Sequence, residues 1–135
     1  MILSIAAVGL LTARCSSDIP AVVSPNGIVG FVGTDSSGYF VTYKGQNVLE
    51  ITNLGFADNN QLADFKLVGT VHDEYDMLSG KKLHCENMAT EFTANLGKNV
   101  QLILRVYNDG IAFRYRLHGM DGAAIPAEQT AYRIP

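Results

Sequence analysis

The sequence predicts an all-β protein, an antiparallel β-sandwich, and three observations carry that prediction. Apolar residues recur at every second position in several short stretches, the period of a strand with one buried face. Those stretches are separated by clusters of Gly, Asn, Asp and Lys, which suit turns. After residue 20 no stretch shows the periodicity of a convincing helix. The 135 residues are 47% hydrophobic and 17% charged, which supplies the core of one domain and excludes a low-complexity or disordered chain. The net charge of -3 and the lack of a Lys/Arg cluster exclude nucleic acid as a partner, because phosphate binding needs a basic face.

Residues 1–19 read as a signal peptide or a lipoprotein-like leader, and 20–135 as the sandwich. The apolar run from Ile2 to Leu11 is about half the length a bilayer span needs. Cys15 offers a lipid-bearing alternative and would be the chain's attachment to a membrane, although Arg14 stands where lipoprotein signals want a small residue. The expected location is secreted, periplasmic or outer-membrane associated. Cys15 and Cys85 are too few for a disulfide framework or a metal knuckle. Next to each other on a strand, His84 and Cys85 point to opposite faces, so Cys85 reads as an ordinary thiol.

Along the chain, Tyr39, Val41 and Tyr43 share one face of a strand, Lys44 to Asn47 supply a turn, and Val48 to Ile51 return as its partner. Gln61 to Phe65 could make one helical turn at most, beside an Asp58-Asn59-Asn60 loop. Phe65 to Val71 alternates again, with Glu91 to Leu96 as its partner strand. Val100 to Leu117 is a hairpin. A two-residue Asp109-Gly110 turn pairs Val106 with Phe113, Leu104 with Tyr115 and Leu102 with Leu117, placing every apolar residue on one face. A three-residue turn would mix Arg105 and Ile103 with Phe113 and Tyr115, and is rejected. Thr130, Tyr132 and Ile134 alternate as the start of a further strand. The expected core contains Val41, Leu67, Leu102, Leu104, Val106, Phe113 and Tyr115.

That hairpin register sets Arg105 directly across from Arg114, with Arg116 beside them, and like charges facing each other destabilise a ladder. A carboxylate of a neighbouring strand, Glu91 or Glu86, should lie over this face, or else a ligand or another domain. The alternative is that the Arg stems cover apolar surface with their heads in water. Arg105, Arg114, Arg116 and Glu91 are therefore the candidates for an anion-facing or interdomain surface.

No catalytic, cofactor or metal residue is assigned. His72-Asp73-Glu74-Tyr75-Asp76 lacks the Asp-x-Asp-x-Asp-Gly spacing of a calcium loop and reads as a solvated connection. Glu86 and Glu91, five residues apart, face opposite sides of a strand and cannot act as a catalytic pair.

The run Arg-Val-Tyr-Asn-Asp-Gly-Ile-Ala-Phe-Arg-Tyr at 105–115 resembles a signature of the amino-terminal domain of glycoside hydrolase family 97. Further pieces agree in order: Ser24-Pro25-Asn26-Gly27, Tyr43-Lys44-Gly45, Asn53-Leu54-Gly55, Ser79-Gly80-Lys81, Asn87 with Glu91, and Glu128-Gln129-Thr130. The resemblance covers Ser24 to Pro135. It implies the first part of a β-supersandwich that precedes a (β/α)8 barrel, in secreted bacterial enzymes acting on α-linked glucosides or galactosides. It places the reactive carboxylates beyond Pro135 and implies calcium, and bound carbohydrate, for the full-length enzyme. On this reading the chain is inactive alone and its partner is the remaining sandwich and barrel. The alternative is a free-standing carbohydrate-binding or adhesive β-sandwich. Against it stand the lack of Trp and several Tyr residues expected to face the core rather than form a stacking platform.

Overall fold

The computed structural model describes residues 21–34, 38–57, 62–81, 83–119, 122 and 124–135. The leader at 1–19 with Cys15, the Asp58-Asn59-Asn60 loop and Gln61 lie outside them. Eight strands form, and no helix among the described residues: β1 Val29–Gly33, β2 Gly38–Tyr43, β3 Gln46–Thr52, β4 Lys66–Asp76, β5 His84–Leu96, β6 Val100–Tyr107, β7 Gly110–Leu117 and β8 Ala131–Arg133. They make two antiparallel four-stranded sheets, ordered β1-β2-β3-β8 and β4-β5-β6-β7. This is the sandwich the alternation predicts.

The first sheet is a meander closed by the tail. Lys44 and Gly45 alone form the β2–β3 turn, both with positive φ (50° and 79°), the mirror-image turn that matches the twist of a hairpin. Val48 is left without a partner, since the register shifts between Val41↔Leu49 and Thr42↔Asn47. Gly30 lies so close to β2 that a Cβ there would sit 2.6 Å from Thr42 Oγ1. β8 returns to pair with β3 through Ile51↔Tyr132.

Alternation then fills the space between the sheets. Val29, Phe31, Val41 and Ile51 meet Phe92, Ala94, Leu102, Leu104 and Val106, with Leu54 and Phe65 added from outside the strands. Phe31 stacks on Tyr39 at 4.7 Å between ring centroids, and Phe65 meets Phe31 edge-on at 5.7 Å. Phe56, Leu96 and Val100 form a smaller cluster at one end.

Four of the seven expected core residues, Val41, Leu102, Leu104 and Val106, are buried. Phe113 and Tyr115 are half-buried against the core. Leu67 is not in it: it is 57% exposed, because β4 is an edge strand and an irregularity between Leu67 and Gly69 turns that stretch outward. Phe65 fills the place instead.

The β6–β7 hairpin has the expected faces but a register displaced by two residues. Its turn is Asn108-Asp109, so Val106 pairs with Ile111, Leu104 with Phe113 and Leu102 with Tyr115. Arg105 then faces Ala112 and Arg114 faces Ile103, which removes the repulsion that the Asp109-Gly110 turn would have built in. The observed turn is also anchored from outside, where the Asn26 N–H donates to Asn108 Oδ1 at 3.1 Å. The acidic stretch 72–76 is strand, not a loop: it pairs with residues 84–88 as a two-stranded ribbon running beyond the end of β6.

Candidate functional site

The outward face of the second sheet gathers the charged candidates. Residues of β5 and β6 alternate, so Phe92 and Leu104 point inward while Glu91 and Arg105, a direct cross-strand pair, point outward. Arg105 Nε donates to Glu91 Oε2 at 2.6 Å, and its Nη1 lies 3.5 Å from Asp73 Oδ2 on β4. The Glu91 hydrogen bond, followed by one to Tyr107, pushes the Arg105 pKa further above its already high value. This pair is partly shielded, with side-chain exposures of 33% for Arg105 and 16% for Glu91. Glu86 takes no part. It points to the opposite side of β5, where its Oε1 is 2.8 Å from His72 Nε2.

Arg114 and Arg116 lie on β7 across from Ile103 and Gln101. Neither has a carboxylate within ion-pair distance among the described residues. Ile103 points to this polar face yet is only 4% exposed, and it floors a concavity of about 200 Å³ bordered by Arg105, Tyr107, Ala112, Phe113 and Arg114. Both readings of the arginines thus have a structural counterpart: a carboxylate holds Arg105, and apolar surface lies under the Arg stems.

The ribbon carries the remaining titratable groups. Glu74 and Glu86 face each other directly, and His72 and His84 stand on either side of them. His84 Nδ1 is 2.8 Å from Asp76 Oδ1 and its Nε2 is 3.0 Å from Glu74 Oε1. Calcium takes six to eight converging oxygens. Here Asp73 is turned to the other face from Glu74 and Asp76, the remaining acids are engaged by imidazoles, and no group of three or more metal-capable side chains converges among the described residues. These residues do not fit that ion.

Between the sheets, on the side where β7 faces β3 and β8, the sandwich stands open. Leu49, Ile51, Ile111, Phe113, Tyr115 and Tyr132 line a cleft of about 490 Å³ there, with Glu128 at its rim. Tyr115 Oη is 2.9 Å from Thr130 Oγ1. Burial, with a smaller contribution from the nearby Glu128 charge, pushes its phenol up to about 12.

Sequence reasoning missed Asp73, Tyr107 and Thr130 as partners. Asp73 was hidden because residues 72–76 are exposed on both faces and show no apolar alternation, and Tyr107 and Thr130 because their bonds depend on which strands become neighbours. The motif pieces converge as well. Ser24 to Gly27 form a turn closed by Gly27 N–H to Ser24 O at 2.9 Å, and Asn26 meets Asn108. Gly55 donates to Thr130 Oγ1, and Gln129 donates to the Gly55 carbonyl.

Fold and side chains together define a two-sheet antiparallel sandwich with a set of charged pairs on the second sheet and, among the described residues, its widest apolar opening between β7 and β8. The sequence matches the family described as glycosyl-hydrolase 97 N-terminal over residues 22–135. The chain belongs to this family. No curated protein matches it.

Proposed function

We propose that this chain is the non-catalytic amino-terminal sandwich portion of an exported family 97 glycoside hydrolase acting on α-linked glucosides or galactosides, and that it supports the enzyme's catalytic barrel and sugar site. The observation that carries this reading is the open cleft between β7 and the β3–β8 edge. Its walls are the apolar residues that a complete sandwich covers, and β7 ends the sheet with one row of backbone groups unpaired. With Leu49, Ile51, Ile111 and Phe113 in its walls and an unpaired strand edge beside it, the cleft offers further polypeptide of the same enzyme both apolar surface and backbone partners. The leader reading goes with export to the periplasm or outer membrane.

The chain by itself should release neither glucose nor galactose from aryl α-glycosides, and a protein that joins it to the remaining family sandwich and barrel should release one of them. Hydrolysis by the chain alone above a buffer blank would overturn the proposal. Saturable binding of maltose or melibiose by the chain alone would favour the free-standing carbohydrate-binding module instead.

A further inference from the structure

We propose that the concavity over Ile103 is a binding site for a single carboxylate, with Arg114 as its main contact. The argument starts from charge. Arg105 is held by Glu91 and Asp73, whereas Arg114 and Arg116 have no carboxylate within ion-pair distance among the described residues. Of these two, Arg114 borders the concavity and Arg116 does not, which makes Arg114 the guanidinium with donors to offer there.

The second element is shape. Arg114 stands over a hollow of about 200 Å³ with an apolar floor, Ile103, and a small residue, Ala112, at its side. A planar carboxylate meets a guanidinium through two parallel hydrogen bonds, while an apolar floor accepts the carbon frame of the molecule that bears it.

Two sources could present this group: a sugar acid, or an Asp or Glu side chain of a neighbouring polypeptide. The site opens on the outward face of the second sheet and shares Ala112 and Phe113 with the β7–β8 cleft, but its guanidinium, Arg114, does not line that cleft, so protection of Arg114 by a carboxylate is read apart from whatever fills the cleft.

Arginine modification by phenylglyoxal, read residue by residue by peptide mass spectrometry, tests the site on the intact chain, with the exposed Arg133 as internal reference. Acetate should slow modification of Arg114 saturably, by roughly fivefold or more, and leave Arg133 unchanged. Chloride at equal ionic strength should protect neither arginine. Glucuronate and N-acetylglutamate amide are then compared; either order of potency supports the site, and the stronger protector names the source. Ala112→Leu, which fills the hollow without touching a charge, should abolish the protection. The proposal is overturned if protection rises linearly with carboxylate, if it is shared by Arg133, if it survives Ala112→Leu, or if phosphate protects better than acetate.

Discussion

Phe92 and Phe113 are both inward-facing aromatics in the second sheet, yet their environments differ. Phe92 is 1% exposed at the centre of the core, whereas Phe113 lines the open cleft. Phe92→Ala should therefore cost about 3 to 5 kcal/mol, and Phe113→Ala about 1 to 2 kcal/mol, because its ring already touches water. Equal losses in denaturant unfolding would show that the cleft is closed. Tyr115 makes a pH prediction. Its phenol is raised from 10 to about 12, so the fold favours the neutral ring. That contribution is fully present below pH 10 and is lost as pH rises from 10 towards 12. Alkaline unfolding of Tyr115→Phe should lack this decline, and parallel pH profiles for the two proteins would contradict it.

The β6–β7 hairpin shows what local pattern can and cannot specify. Alternation fixes which residues face inward, so Leu102, Leu104 and Val106 were legible as core. A slip of two residues leaves every side chain on the same face, and hydrophobicity cannot detect it. The Arg105–Arg114 opposition and the distant Asn26 contact decide between the registers, and the second is invisible without the fold. The β4–β5 ribbon was missed for a related reason: residues 72–76 are exposed on both faces, so no buried side marks their period. Leu67 was misplaced because an apolar residue in an alternating run does not announce the irregularity beside it. At this scale the Arg105–Glu91 pair is the testable unit. Glu91→Gln should destabilise by about 1 to 3 kcal/mol, since it leaves a half-shielded guanidinium short of its main partner. A double-mutant cycle with Arg105→Gln should then show coupling, and additive losses would mean that the pair adds no stability.

Across the whole molecule, the asymmetry of the sandwich carries the functional reading. At the β1 side Phe31, Tyr39 and Phe65 interlock beside a cleft of about 390 Å³, while the β7-to-β8 side presents Leu49, Ile111, Phe113 and Tyr132 to a wider one of about 490 Å³. An exposed strand edge above such a cleft is a place where another strand adds. The hairpin register says which amides are available. With Tyr107 and Gly110 flanking a two-residue turn, the even-numbered residues of β7 donate to β6, an alternation that continues in the His118 N–H to Asn99 O bond of 2.9 Å. Ile111, Phe113, Tyr115 and Leu117 therefore direct their N–H groups to the open edge. Residue-resolved hydrogen exchange tests this most directly. In the chain alone these four amides should exchange rapidly while those of Ala112, Arg114 and Arg116 are protected. Joined to the rest of a family 97 enzyme, the four should slow by roughly a hundredfold or more as new polypeptide pairs with β7. Protection already present in the isolated chain, or exchange unchanged in the joined protein, would contradict the account.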